Sequence, residues 1–202
     1  MNNNEKYSIR NYDKIAQKYD NSFDGKFTAK FKNKMLEFCE VSDGDKVLDV
    51  GCGNGRLIHA ISQKSDIKAY GIDISPNMIA ECRIQYEGIN FEVSNGEQLN
   101  FDKNSIDMVT ICCVLHHLNT AQNFIKEAYR ILKTDGVLII CEPWLPFGVR
   151  HFTDWIISPI LRAGDNKIFS HKRIERLVTS ENFEITEFYK KGVIQIIKAK
   201  KI

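Results

Sequence analysis

The chain has 202 residues, a length that suits one globular domain and allows a sizeable buried core. Hydrophobic residues make up 43% and charged residues 27%, and no apolar run reaches the roughly 20 residues that a membrane-spanning helix needs. The formal net charge of +2 is too small to predict nucleic-acid binding. Because the polar N-terminus shows no secretory signal, we expect a cytoplasmic protein without stable membrane insertion.

Two helices precede the first predicted strand, over residues 8–18 and 27–39. The second helix has a regular apolar face with spacings of three and four residues, formed by Phe27, Phe31, Met35 and Phe38. We expect residues 1–45 to form a helical cover on the rest of the chain.

From residue 46 onward, strands and helices alternate, which predicts an α/β fold with a doubly wound parallel sheet and right-handed crossovers. The predicted strands are 46–50, 67–72, 89–93, 106–111 and 136–142, and the predicted helices are 55–63, 76–86 and 121–132. A helix over 171–180, capped by Ser170, then precedes strand-like runs at 183–189 and 193–200 that predict a closing hairpin. We expect a single domain with a core over 46–142, a substrate-side insertion over 143–169 and a closing helix and hairpin over 170–202.

The spacing of the cysteines and the clustering of lysines near the C-terminus each allow a further prediction. Six cysteines form no C-x-x-C pair, which predicts reduced, mostly buried thiols and no metal site. Five lysines near the C-terminus predict a solvated strand edge that discourages aggregation. These lysines are Lys190, Lys191, Lys198, Lys200 and Lys201.

A glycine-spaced turn follows the first predicted strand. Residues 47–57 read Val-Leu-Asp-Val-Gly-Cys-Gly-Asn-Gly-Arg-Leu, an apolar run that suits a buried parallel strand and then a turn. Gly51, Gly53 and Gly55 remove side chains where the backbone must turn and let a ligand approach closely. Arg56 occupies the place where the dinucleotide G-x-G-x-x-G pattern has its third glycine or alanine, which argues against NAD.

Asp73 is the predicted ribose ligand. It ends the second predicted strand about twenty positions after Gly51, the distance at which a carboxylate can bind both ribose hydroxyls. The alternative role for Asp73 is the N-cap of the helix that starts near Pro76, although Ser75 fits that role better.

With these motifs in place, the chain resembles the class I S-adenosylmethionine-dependent methyltransferases, in particular the small type 11 branch that acts on metabolites. The resemblance covers nearly the whole chain and rests on the joint spacing of several segments. These segments are 12–20, 47–55, 71–75, 95–101, 114–118 and 130–133. The resemblance implies a Rossmann-like, seven-stranded, mostly parallel sheet with helices on both faces and a C-terminal antiparallel hairpin, which agrees with the strand order predicted above.

The same resemblance implies a site for the cofactor S-adenosyl-L-methionine. The methionine portion would be held by Asp49, Gly51, Cys52, Gly53 and Gly55. The ribose would be bound by Asp73, and the adenine would contact Ile74, Asn95 and Gly96. Cys112 would border the site. Asn95 departs from the family, which usually has Asp there, so the adenine contact loses its charge. The resemblance places Tyr12 and Tyr19 over the cofactor; alternatively, both tyrosines pack a helix against the sheet.

The implied reaction is direct in-line transfer of a methyl group to a small, partly apolar metabolite. No catalytic base is assigned, and the weak candidates are His116, His117, His151 and Glu142. No metal is expected at the two adjacent histidines. The protein would act as a monomer or homodimer without a nucleic-acid partner.

Two other functions remain open from the sequence alone. The chain could be a noncatalytic S-adenosylmethionine-binding module, or an NAD-dependent oxidoreductase, against which Arg56 argues. The insertion over 143–169 is rich in aromatic residues, which predicts an apolar acceptor pocket. A helix packed on the core or on a partner subunit, or shallow membrane contact, would account for the same composition.

Overall fold

The computed structural model describes residues 3–145 and 168–202. The N-terminal part contains α1 (Asn3–Ile15), a 3-10 helix (Ala16–Asn21) and α2 (Phe23–Leu36). The middle contains β1 (Lys46–Val50), α3 (Arg56–Ser62), β2 (Lys68–Asp73), α4 (Pro76–Gln85), β3 (Asn90–Val93), β4 (Ile106–Cys112), a 3-10 turn (Leu115–His117), α5 (Ala121–Ile131) and β5 (Leu132–Pro143). The end contains α6 (His171–Thr179), β6 (Phe183–Lys191) and β7 (Ile194–Lys201). Most of the predicted insertion over 143–169, including the candidate base His151, lies outside the described residues.

The strands form one seven-stranded sheet in the order β3-β2-β1-β4-β5-β7-β6. The first five strands of this order are parallel, and β7 pairs antiparallel with both β5 and β6. This confirms the predicted doubly wound sheet with a closing hairpin. Because β1 and β4 are neighbours although they are far apart in the sequence, the strand order reverses beside β1, which is where ligands bind in open α/β sheets.

The sheet is buried on both faces, which explains the continuous apolar run of β1. Val47 packs with one core cluster and Leu48 with the other, and both side chains are fully buried. Successive side chains of a strand point to opposite faces, so both faces of this strand must be covered by helices. The predicted bounds of β1 match the structure.

The bounds of α1, α2 and β5 differ from those predicted. The helix α1 begins at Asn3 and ends at Ile15, against a predicted helix over 8–18. The helix α2 begins at Phe23 because Ser22 caps it and accepts a hydrogen bond from Gly25 N at 3.0 Å. Of the predicted apolar face, Phe27 is 37% exposed and Phe38 lies beyond the end of the helix at Leu36. The strand β5 begins at Leu132, which pairs with Ile106 before residues 133–136 leave the register.

The prediction that the C-terminal lysines form a solvated edge is wrong for Lys198 and Lys201. The strand that carries them, β7, lies inside the sheet, and the edge strand is β6. Lys201 is 6% exposed, and its Nζ atom donates to the carbonyl oxygens of Tyr129 and Leu132 at 2.6 and 2.7 Å. Lys198 is also buried and pairs with Glu40 and Glu187, both at 2.8 Å.

All six cysteines are buried and free, as the sequence predicts. Within residues 3–145 and 168–202, no helix is long and apolar enough to cross a membrane. The same residues contain no group of three or more side chains that could hold a metal ion.

Candidate functional site

A cavity opens where β1, β2 and β4 end and where α1, the first 3-10 helix and α2 pack over the sheet. The residues that line it include Gly51 and Gly53 after β1, Asp73 and Ile74 at the end of β2, and Cys112 at the end of β4. Its lining also includes Tyr12, Tyr19, Asn95 and Gly96. Nine of the twelve predicted cofactor residues therefore meet at one cavity, and the exceptions are Asp49, Cys52 and Gly55.

The glycine turn places bare backbone against the cavity. Gly51, Gly53 and Gly55 have φ angles of +68°, +55° and +72°, in the left-handed region that favours glycine. A Cβ atom on Gly51 would lie 2.4 Å from Cγ2 of Val114, so this position has no room for a side chain. Gly55 forms the N-cap of α3 and lies outside the cavity lining, where an added Cβ atom would meet Tyr86, Cys82 and Phe91.

Asp73 joins the glycine turn to the start of α4. Its Oδ2 atom accepts a hydrogen bond from Gly53 N at 2.8 Å, and its Oδ1 atom accepts one from Ser75 N at 2.9 Å. Ser75 is the N-cap of α4 and accepts from Met78 N at 3.2 Å, so the alternative helix-capping role for Asp73 is wrong. Burial raises the pKa of the Asp73 carboxyl, and the two backbone donors partly oppose this shift.

Asp49 lies in β1, two residues before Gly51, and is 2% exposed. Thr110 Oγ1 donates to its Oδ1 atom at 2.7 Å. Burial raises the pKa of this carboxyl to about 7, although the Thr110 hydrogen bond and the Lys32 ammonium both act to lower it. Asp49 therefore joins β1 to β4 through Thr110 and does not line the cavity, and neither does the fully buried Cys52.

The sequence reasoning missed Lys32, which brings a buried positive charge to the cavity. Its Nζ atom donates to Asn54 Oδ1 at 2.9 Å, and a Cβ atom on Gly53 would lie 3.7 Å from that Nζ. Burial by itself lowers the pKa of the ammonium, but the neighbouring Tyr19 and Asp49 more than offset this, so the pKa lies above its usual value. The available signal was a lysine directly after Phe31 on the buried side of α2.

Tyr12 and Tyr19 form part of the roof of the cavity. Their ring centroids lie 6.3 Å apart in an edge-on arrangement. The Tyr12 hydroxyl lies 3.3 Å from Nε2 of His117, and the Tyr19 hydroxyl lies 3.2 Å from Oγ1 of Thr28. Both tyrosines also pack with the buried Met78 of α4, so they line the cavity and fasten the N-terminal helices to the rest of the chain.

Asn95 and Gly96 form the end of the cavity next to β3. Asn95 Oδ1 accepts from Glu97 N at 2.9 Å, and Asn95 Nδ2 donates to Glu5 Oε1 at 2.9 Å. A Cβ atom on Gly96 would lie 2.7 Å from Cγ1 of Val50, so this glycine also allows a close approach of backbone. The contact with Glu5 brings a carboxylate to this end, which the sequence reasoning did not foresee.

The candidate bases occupy different places. Glu142 is fully buried and accepts hydrogen bonds from Val114 N at 3.0 Å and Leu115 N at 2.8 Å, while its other oxygen lies 2.5 Å from His116 Nδ1. Among the described residues, the cavity lining contains His117 but neither His116 nor Glu142. Burial and the adjacent His116 lower the pKa of His117 well below its usual value, which leaves its imidazole neutral at pH 7.

The donor set of the cavity fits S-adenosylmethionine. Lys32 can pair with a carboxylate, Asp73 can accept from hydroxyl groups, and the glycine positions leave space that side chains would fill. Val50, Ile74 and Met78 add apolar surface to the same lining. The charged and apolar parts of the cavity thus match a molecule that carries an amino acid at one end and a nucleoside at the other.

Comparison with known proteins gives the class of this chain. A family model described as a methyltransferase domain matches residues 48–140. An uncharacterized protein of Methanocaldococcus jannaschii is 30% identical over 197 residues, which cover 92% of this chain and 72% of that protein. The demethylmenaquinone methyltransferase of Tropheryma whipplei is 29% identical over 65% of this chain, and the matched part is 56% of its own length.

A solved structure agrees over the whole fold. A chain of Haloferax volcanii, solved in complex with the Trm112 methyltransferase activator, superposes with a TM-score of 0.76 at 18% identity and covers 99% of this chain and 98% of its own length. Together with the family match, the fold and the cavity place this chain in the class I S-adenosylmethionine-dependent methyltransferases. It is an S-adenosylmethionine-dependent methyltransferase, and its cofactor is S-adenosyl-L-methionine.

Proposed function

We propose that this methyltransferase transfers the methyl group to a small, partly apolar metabolite by direct in-line displacement. The main support is the order of charged and polar groups along the cavity. The Lys32 ammonium lies beside Gly53, the Asp73 carboxylate comes next, and the Asn95 amide lies at the far end. When bound, S-adenosylmethionine supplies a methyl group that is activated for transfer by the sulfonium. The residues of the chain bind, orient and exclude water, and the reaction needs no covalent nucleophile.

Each part of the cavity has a proposed role in holding the cofactor. Lys32 and the backbone of the glycine turn would hold the methionine carboxylate, because a buried ammonium needs a negative partner. Asp73 would accept from the ribose hydroxyls with the lone pairs that Gly53 N and Ser75 N leave available. Asn95 and Gly96 would border the adenine, and Ile74 would pack on its face.

His117 is the proposed base where the acceptor must lose a proton. It lines the cavity, its imidazole is neutral at pH 7, and the Tyr12 hydroxyl is within hydrogen-bond distance of Nε2. A neutral imidazole can take the proton of an acceptor hydroxyl as methyl transfer proceeds, because methylation makes that oxygen strongly acidic and a weak base then suffices. On this proposal, His117→Asn lowers the rate of methyl transfer and leaves the affinity for S-adenosylhomocysteine unchanged. Equal rates of methyl transfer for the variant and the parent chain would exclude His117 as the base.

The apolar part of the lining supports a partly apolar acceptor. Val50, Met78, Val114 and Leu118 line the cavity beside the polar groups. The Tropheryma whipplei relative is named for methylation of demethylmenaquinone, an acceptor with a large apolar part, which favours the same class of substrate. We propose in addition that the protein acts in the cytoplasm as a monomer or homodimer.

The test is label transfer from S-adenosylmethionine with an isotopically marked methyl group. The purified chain is incubated with a metabolite extract, and labelled products are sought by mass spectrometry in small-molecule, lipid and protein fractions. We expect the label in a small, partly apolar compound. Confirmed cofactor binding without any labelled product would favour a noncatalytic binding module, and label in a protein fraction would replace the proposed acceptor class.

A further inference from the structure

Glu5 reaches from α1 to the end of the cavity next to β3, where two amide groups converge on it. Its Oε1 atom accepts from Asn95 Nδ2 at 2.9 Å and from Asn119 Nδ2 at 2.8 Å. Glu5 itself lines the cavity, as do both asparagines. The carboxylate is thus held on the cavity wall from two sides by side chains of two different loops.

The orientation of the Asn95 amide is fixed by its neighbours. Glu97 N donates to Asn95 Oδ1 at 2.9 Å, so the NH₂ group of the amide must face Glu5. The family resemblance assigns Asn95 to the adenine, and only its amide oxygen could accept from the adenine amino group. In the structure that oxygen already accepts a backbone hydrogen bond, and the carboxylate beside it is the stronger acceptor at this position.

The position of Glu5 along the sheet matches the nucleobase end of the cofactor. Asn95 follows β3, Asp73 ends the adjacent β2, and Gly53 follows β1, the next strand of the sheet. The Lys32 ammonium of α2 lies beside Gly53. If Asp73 holds the ribose and Lys32 the methionine carboxylate, then the base lies toward Asn95 and Glu5. This step rests on the function proposed above.

We propose that Glu5 selects the adenine base of the cofactor by accepting a hydrogen bond from its exocyclic amino group. Adenine carries an amino donor at this position, whereas hypoxanthine carries a carbonyl oxygen there. An ionised carboxylate can only accept, so it binds the amino group and repels the carbonyl. A site built around a polar contact disfavours an analogue that places a second acceptor against its carboxylate.

The test compares two ligands that differ only at this group. Isothermal titration calorimetry on the full chain measures the affinity for S-adenosylhomocysteine and for S-inosylhomocysteine, whose base is hypoxanthine. We expect the parent chain to bind the adenosyl compound at least about tenfold more tightly, the size of one hydrogen bond to a charged group. Glu5→Gln retains an oxygen that can accept from both asparagines, and we expect the preference to fall about tenfold through weaker binding of the adenosyl compound.

The control is Glu92→Gln, which removes a charge from an exposed position on β3 and should leave the preference unchanged. If Glu5→Gln weakens both ligands equally, Glu5 only fastens α1 and the proposal fails. It fails also if the variant keeps the parent preference. If the parent chain binds neither ligand, the cofactor site proposed above is wrong. That result differs from both Glu5→Gln outcomes, because it concerns the parent chain.

Discussion

Lys32 on α2 and Asn54 in the glycine turn share a hydrogen bond of 2.9 Å that holds a buried ammonium beside the cavity. The same Asn54 donates from Nδ2 to Asp20 Oδ1 at 2.5 Å, so the amide is held from both sides. The positive charge of Lys32 is therefore held in place before any ligand binds. It makes this end of the cavity differ in charge from the end at Asn95.

Replacing Lys32 should weaken the binding of the amino-acid part of the cofactor alone. We expect Lys32→Met to lower the affinity for S-adenosylhomocysteine at least about tenfold, because one charge-assisted hydrogen bond is lost. The affinity for 5′-methylthioadenosine, which has no carboxylate, should stay the same. Calorimetry with both ligands checks this, and Lys30→Met, at an exposed position of α2, is the matched control. An equal loss for both ligands would refute the assignment.

Replacing Asp73 should weaken cofactor binding more broadly. The Asp73 carboxylate is proposed to hold the ribose, and it also holds Gly53 N and Ser75 N in place. We expect Asp73→Ala to weaken binding of S-adenosylmethionine by at least about 1.5 kcal/mol, measured by calorimetry. Asp66→Ala, at an exposed position before β2, should change nothing. Unchanged affinity of Asp73→Ala would exclude the ribose role.

Asp49 should make the stability of the chain depend on pH. Burial raises the pKa of its carboxyl to about 7, so the folded chain holds a proton that the unfolded chain releases above about pH 4. The stabilising contribution of this proton is complete at low pH and is lost as the pH rises to about 7. Asp49→Asn removes this loss, because the amide cannot ionise and can still accept from Thr110.

The measurement is urea denaturation of the parent chain and Asp49→Asn at pH 5 and pH 8. The free energy of unfolding of the parent should fall by about 3 kcal/mol from pH 5 to pH 8 because of Asp49, and the variant should lack this fall. A stability difference that is the same at both values would show that Asp49 is ionised in the folded chain throughout this range.

Two glycines with positive φ angles should respond differently to replacement by alanine. Gly44 has a φ of +86° and no atom within 4 Å of an added Cβ, whereas Gly51 has a φ of +68° and Val114 Cγ2 at 2.4 Å. Gly44→Ala should cost about 1 kcal/mol from backbone strain alone. Gly51→Ala should cost about 2–4 kcal/mol, because overpacking is added to the strain. Urea denaturation checks both, and equal costs would contradict the structure.

Glu142 and His116 should act as one structural unit. Glu142 holds the turn after β4 through Val114 N and Leu115 N, and its second oxygen meets His116. Glu142→Ala should lower the free energy of unfolding by about 2–4 kcal/mol, because buried donors lose their acceptor. In a double-mutant cycle with His116→Ala, the two effects should be less than additive. Strict additivity would mean that the pair does not interact in solution.

The sequence predicts the sheet well because its signal is local. Residues of β1 alternate between two covered faces and end at glycines, so the strand and the turn can be located without tertiary information. The start of β5 and the burial of Lys201 were missed, since both depend on how a neighbouring strand pairs.

Part of the site could be predicted, because some of its residues belong to local sequence motifs. Gly51, Gly53 and Asp73 belong to motifs next to strand ends, and the sheet brings those ends together. Lys32 and Glu5 belong to helices whose docking is set by distant contacts, and Glu5 meets Asn95 across 90 positions of the chain. No spacing rule within the sequence specifies such a pair, so only the folded structure reveals it.

The two walls of the cavity differ in how they are held. The helix α2 places Phe31 and Met35 in the core and presents Thr28 and Lys32 to the cavity, so folding of the sheet already fixes this wall. The helix α1 is held at Glu5 by side-chain hydrogen bonds to Asn95 and Asn119. The wall at Lys32 is thus anchored by the hydrophobic core, whereas the position of the Glu5 carboxylate depends on two polar contacts between loops and α1. If the cofactor binds as proposed, a change that loosens α1 should weaken contacts near Glu5 more than contacts near Lys32.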